Sequence, residues 1–196
     1  MNAVVRKTEF VPFAEPRRHR FTLDELLAIE AIGLFRDVRT ELMDGEIIEM
    51  PTNGELHQQF SIQLTKWLAR NLDLSRYDFV GATTLKLADE WAPSPDFRVF
   101  AVEDDGTRLT GDQVLLAIEE AHSSLNYDLN DKAAAYATYG IRDYWVIDLE
   151  RRRLHLHRDP GPDGYRSVEV FEREEPAAAL LIPGLSLRLA DLPRVG

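Results

Sequence analysis

Cysteine is absent from all 196 residues, which excludes disulfide scaffolds, thiolate zinc sites, iron–sulfur clusters and thiol nucleophiles. Long apolar runs are absent too. The longest, Ala177–Ile182, falls far below the ~18 residues a membrane-spanning helix needs. The first twenty residues lack the apolar stretch of a signal peptide, because Arg6, Lys7, Glu9, Glu15 and Arg17 break it up. These absences predict a soluble, cytoplasmic, globular protein with no membrane partner. A chain this long buries enough core to fold without a staple. Basic charge is scarce as well: 23 Lys and Arg stand against 34 Asp and Glu, a net of −11. Residues 1–20 run the other way, with Arg6, Lys7, Arg17, Arg18 and Arg20 against Glu9 and Glu15, so the remaining chain is more acidic still. An acidic body repels phosphodiesters, so a nucleic-acid role has to rest on local basic groups and bound cations.

Residues 1–20 contain Pro12 and Pro16 and no apolar periodicity, and read as an irregular arm before a single domain over 21–196. Thr22 and Glu25 form a capping box ahead of a short helix to about Glu30. Asp44-Gly45 between Arg39–Met43 and Glu46–Met50 predicts an N-terminal hairpin. Phe60, Leu64, Trp67, Leu68 and Leu72 recur at helical spacing over roughly 55–72, and Tyr77–Leu87 reads as a strand. A short strand follows Pro93-Ser94-Pro95. Val114–Ile118, with no polar alternation, reads as a central strand buried on both faces. A helix capped by Asp128 or Asn130 runs through Ala137 to Gly140. Tyr144–Leu149 is a further strand, a hairpin over 154–171 closes the sheet, and an apolar segment, Leu180–Leu189, ends the chain. The order predicts an α/β (α+β) sandwich, with helices flanking a mixed central sheet.

Three residues do not belong in such a core. Glu119 directly follows Val114–Ile118, where a carboxylate costs several kcal/mol unless it is paired or metal-bound. Asp96 opens a strand after a rigid Pro-Ser-Pro approach. Two carboxylates on adjacent strands can present oxygens to a hard divalent cation, or simply emerge into water as ordinary surface acids. Lys132 falls early in a helix, where the macrodipole disfavours a cation unless it faces a negative centre or Asp128 and Asp131 offset it.

The stretch Ile118-Glu119-Glu120-Ala121-His122-Ser123-Ser124-Leu125-Asn126-Tyr127-Asp128, with Lys132, Tyr136-Ala137, Gly140-Ile141 and Tyr144-Trp145-Val146-Ile147-Asp148, carries a resemblance. So do Glu41-Leu42-Met43-Asp44-Gly45-Glu46, His57 and Pro95-Asp96. Together they resemble the Uma-type restriction endonuclease family of the PD-(D/E)xK (restriction endonuclease-like) superfamily, from about Phe21 to Leu192. The resemblance implies a restriction endonuclease-like sandwich with added N-terminal and C-terminal hairpins. It also implies an endonuclease hydrolysing DNA phosphodiester bonds with Mg2+ or Mn2+. Asp96 and Glu119 would be the metal carboxylates, joined by the backbone carbonyl of Glu120. The usual lysine position, two residues after Glu119, holds Ala121, so Lys132 would supply the cation from the neighbouring helix. Glu41 and His57 would point into the same cleft, and many members of the superfamily act as homodimers.

Other readings stand beside this one. The nuclease fold could serve as a weakly catalytic or non-catalytic module in a complex with a partner protein, which the acidic surface and Ala121 favour. His155 and His157 could hold a zinc or iron hydrolase site, although solvent-facing histidines alternating with inward Leu154 and Leu156 are the simpler account. Arg151-Arg152-Arg153 could contact phosphates or be solvated surface. Trp67 and Trp145 read as core, with Trp91 left open.

Overall fold

A computed structural model describes residues 17–193, so most of the expected arm lies outside the described residues. Helix α1 (Leu23–Ala31) opens with the capping box: Glu25 N–H donates to Thr22 Oγ1 (3.3 Å) and Thr22 N–H donates to the Glu25 carboxylate (2.8 Å). Asp44 and Gly45, at φ 53° and 73°, turn β1 (Arg39–Met43) back onto β2 (Glu46–Met50) in the expected antiparallel hairpin.

Helix α2 (Glu55–Asn71) buries Phe60, Leu64 and Leu68 at a spacing of four residues. Burial of these three side chains contributes roughly 5–9 kcal/mol. They pack on one face of a six-stranded sheet, against Val99, Leu116, Ile118, Trp145 and Ile147. The sheet runs in chain order through β3 (Tyr77–Gly81), β4 (Phe97–Ala101), β5 (Leu116–Ala121), β6 (Asp143–Asp148), β7 (Arg153–Gly161) and β8 (Gly164–Phe171). Only β5 and β6 are parallel. A parallel pair needs a crossover. Here it consists of α3 (Leu125–Tyr127), a π-helical turn (Asp128–Lys132) and α4 (Ala133–Thr138), joined in unbroken helical backbone. Tyr136 and Ala133 of this crossover pack with Ala117, Ala121, Tyr144 and Val146 on the opposite face. The result is the expected mixed sheet between helical layers. A short C-terminal pair, β9 (Ala177–Ala178) with β10 (Ser186–Leu187), places Ile182, Leu185, Leu187 and Leu189 in the α2-side core.

Three boundaries differ from the sequence reading. The strand expected over Tyr77–Leu87 ends at Gly81, because Ala82 takes a left-handed turn (φ 45°) after its N–H bonds the Asp96 carbonyl. The strand expected at Val114–Ile118 is Leu116–Ala121, since Val114 closes a 3-10 turn over Gly111–Gln113. Glu119 and Glu120 therefore lie inside the strand. Asp128 caps nothing: the helical backbone begins before it, and its carboxylate accepts from Ser124 Oγ one turn back (2.6 Å).

Candidate active site

Successive residues of a strand face opposite sides of the sheet. Leu116 and Ile118 face α2, Ala117 and Ala121 face α4, so Glu120 and Glu119 diverge to those same two sides. Both are buried at the β5 end, as is Asp96, which immediately precedes β4. Asp96 ties the two together. Its Oδ2 accepts from Glu120 N–H (2.8 Å), and its own N–H reaches Glu119 Oε2 at 3.4 Å.

On the α4 side, Glu119 Oε1 accepts from Lys132 Nζ and from Tyr136 Oη, each at 3.0 Å. Lys132 Nζ also lies 3.0 Å from Glu41 Oε1 and 3.7 Å from Asp128 Oδ1. The π turn sets Asp128 and Lys132 four residues apart on one helix face, aimed at β5. Lys132 is thus not in an opening turn facing the macrodipole; three buried carboxylates hold it. Burial disfavours its ammonium, but Glu119, Glu41 and Asp128 outweigh that and raise its pKa above the ordinary value. Burial pushes Glu119 well above the usual carboxylate range despite Lys132, and Asp128 up to about 6.

On the α2 side, His57 stands in the first turn of the helix. Its Nε2 lies 3.2 Å from Asp96 Oδ1, and its Nδ1 lies 3.3 Å from Ser61 Oγ and 3.7 Å from Glu120 Oε2. Ser61, one turn on, donates to Glu120 Oε2. Burial, reinforced by Asp96, pushes Glu120 up to about 9. Asp96 goes the other way. Burial raises it, but His57, the Glu120 N–H and Lys132 together bring it below the usual carboxylate range.

Five buried carboxylates (Glu41, Asp96, Glu119, Glu120 and Asp128) thus surround one ammonium and one imidazole. Burial raises the pKa of Glu119, Glu120 and Asp128, and a bound cation would favour their ionised forms. Glu120 Oε1 is buried and has no hydrogen-bond partner among the described residues, and one ligand atom each from His57, Asp96 and Glu120 falls within a 4.8 Å span. Two carboxylates and an imidazole form a donor set that suits Mg2+, Mn2+ or a related divalent ion. Glu119 is less free, since Lys132 and Tyr136 occupy one of its oxygens. All these groups except Glu41 and Tyr136 line a cleft of about 280 Å³, whose mouth includes Arg39, Asn53, Gly54, His122 and Ser123.

The structure therefore brings all five expected residues, Glu41, His57, Asp96, Glu119 and Lys132, to one end of β5. The sequence reading missed the Glu120 side chain, having used only its backbone carbonyl, and missed Ser61 and Tyr136. A strand buried on both faces that ends in two consecutive acids already places one acid on each face, and that signal was available. The remaining candidate residues do not line this cleft. His157 is buried between Tyr144 and Tyr165 rather than solvent-facing. Arg151 pairs with Asp148 and Arg153 with Glu172, while Arg152 donates to the Leu189 and Leu192 carbonyls. Trp91 packs against Tyr139 with ring centroids 5.9 Å apart.

A mixed sheet between helical layers, with an acidic cleft where the start of β4 meets the end of β5, defines the restriction endonuclease-like class. A solved structure described as a putative nuclease belonging to DUF820, from Anabaena variabilis, shares this fold with a TM-score of 0.70. The match is 18% identical and covers 87% of this chain and 96% of that one. No curated protein matches the sequence. The profile of the Uma2 family, described as "Putative restriction endonuclease", matches residues 23–190. The chain belongs to the Uma2 family.

Proposed function

We propose that the protein is a metal-dependent endonuclease that hydrolyses DNA phosphodiester bonds. The observation that carries this reading is the convergence of Asp96, Glu120 and His57 into one cluster that could hold a metal ion, beside Glu119 and the buried Lys132. Asp96, His57 and the Glu120 side chain would hold Mg2+ or Mn2+, with Glu119 adjoining. When bound, such an ion lowers the pKa of a water and neutralises charge on the scissile phosphate.

The chain's own groups supply the rest. Lys132, kept cationic by its three carboxylates, presents a fixed positive charge toward the developing phosphorane oxyanion. Tyr136 and Lys132 fix Glu119 in one rotamer, and Ser61 does the same for Glu120. Glu41 anchors Lys132 from β1. The water oxygen forms a bond to phosphorus as the bond to the leaving sugar oxygen breaks. The proton lost by water passes to solvent, and the leaving sugar oxygen takes its proton from solvent. A homodimer would cut both strands of a duplex, which two copies of one cleft explain most simply.

Purified protein incubated with supercoiled DNA and Mn2+ should produce nicked and linear forms. Asp96→Asn and Glu120→Gln should each lower the rate about 100-fold or more. Full activity in both variants would refute the site, and no cleavage by wild type with any divalent ion would refute the function. A second reading, a nuclease-fold module acting with a partner protein, draws on Ala121 at the usual lysine position; it predicts no cleavage and, in calorimetry, no Mg2+ or Mn2+ binding at millimolar metal.

A further inference from the structure

The floor of the cleft and its mouth have opposite chemistry. The floor is rich in acceptors: Asp96 and the unpartnered, buried Glu120 Oε1 lie there, beside a Lys132 ammonium already held by Glu41, Glu119 and Asp128. The mouth offers donors. Helix α2 spans 17 residues and starts at Gly54 with no side-chain cap, so its first backbone N–H groups, on Glu55, Leu56 and His57, are left open where they line the cleft. Glu55 does not fill that role, because its carboxylate accepts from Gln59 Nε2 one turn further along (2.8 Å).

Arg39, on β1, faces this helix end across the mouth. Its guanidinium makes no ion pair with a carboxylate among the described residues; one nitrogen donates to Asn53 Oδ1 at 2.9 Å. Asn53 is in turn fixed by Gln58 Nε2, which donates to its carbonyl (3.0 Å). A planar fork oriented by one hydrogen bond leaves its other N–H groups for a bidentate anion. One ligand satisfies floor and mouth together: an anion carried next to a divalent cation.

We infer that Arg39, positioned by Asn53, and the open N-terminus of α2 form a phosphate clamp. It grips a backbone phosphodiester of the nucleic-acid strand whose scissile bond lies over Asp96 and Glu120. The inference deepens the nuclease reading and rests on it for the substrate class. Uncapped helix N-termini bind phosphate through backbone N–H groups and the macrodipole together. The clamp reads phosphate and no base, so it does not distinguish sequences.

The test is binding without turnover. Fluorescence anisotropy with a labelled 20-base-pair DNA duplex and the matching RNA duplex, in Ca2+ and over a range of salt, gives affinity and salt slope for each variant. Arg39→Ala should weaken both duplexes about tenfold, the loss of one charge-assisted contact. It should also reduce the slope of log K against log salt by about one phosphate. Arg39→Lys should restore the slope but only part of the affinity. Asn53→Ala should lower affinity at unchanged slope, since the charge remains. Arg36→Ala, on the exposed loop before β1, should change neither. Equal slopes for wild type and Arg39→Ala, or no duplex binding by wild type, would overturn the clamp. Normal clamp behaviour in a protein that never cleaves with Mn2+ would leave the clamp standing and refute the nuclease reading.

Discussion

Replacing Lys132 with methionine removes the only ammonium that pairs with buried Glu41, Glu119 and Asp128 among the described residues. Methionine keeps most of the stem's volume, so the loss is electrostatic rather than a cavity. Breaking a buried ion pair from one side costs about 3–5 kcal/mol, because the remaining charges keep their desolvation cost without their partner. With a urea slope of about 2 kcal/mol/M, the midpoint should fall by roughly 1.5–2.5 M at pH 7.5. Circular dichroism of urea titrations measures this directly. Adding Glu119→Gln to Lys132→Met removes one orphaned carboxylate and should recover about 1–2 kcal/mol, a coupling that a double-mutant cycle isolates. A single-variant loss below about 1 kcal/mol, the range of exposed pairs, would refute the reasoning. Lys132 would then be a solvated residue, and Glu119 would lack its fixed counter-charge.

Two further perturbations address the scaffold. Burial holds His157 down at about 4, so the unfolded chain takes up a proton first as pH falls. Its stabilisation is complete above about pH 6.5 and is lost toward pH 4, about 3 kcal/mol in all. His157→Phe, which keeps a ring between Tyr144 and Tyr165, should abolish that part of the acid sensitivity in melts at pH 7.5, 5.5 and 4.5; an unchanged pH profile would show that His157 protonates freely in the folded state. Gly111→Ala would place a Cβ 1.9 Å from the Tyr139 carbonyl oxygen, and the forced shift of the α4 end should cost about 1–3 kcal/mol in the same urea assay.

How much of this was legible before folding follows from where the physics is local. The capping box of α1 and the Asp44-Gly45 turn depend on contacts within a few residues, and both occur as read. Asp96 and Glu119 were legible because a charge that interrupts an apolar strand has to be explained. Lys132 was legible as an oddity but was placed in the wrong turn, since Asp128 has the composition of a cap while its carboxylate serves Ser124 and the lysine instead. His157 was misread because alternation with Leu154 and Leu156 assumes one solvated sheet face. Tyr144 and Tyr165 cover that face, a fact no local window contains.

Glu120 is the instructive residue, because the rule that hid it also explains the site. Alternation sends Glu119 and Glu120 to opposite faces, which makes a shared function look impossible on a long strand. At the strand's end, however, both acids line one cleft. Asp96 arrives there from β4, and it contacts both neighbours, accepting from Glu120 N–H and donating its own N–H to Glu119. The two faces then divide the work. On one, Lys132, Tyr136 and Glu41 fix a positive charge around Glu119; on the other, His57 and Ser61 leave Glu120 with an unsatisfied oxygen. A cluster that could hold a cation on one side of β5, beside the Lys132 ammonium on the other, fits the proposed phosphodiester substrate. Lys132 meets Glu119 from the crossover rather than from β5, because the π turn and α4 pack on the face of the sheet that Glu119 shares.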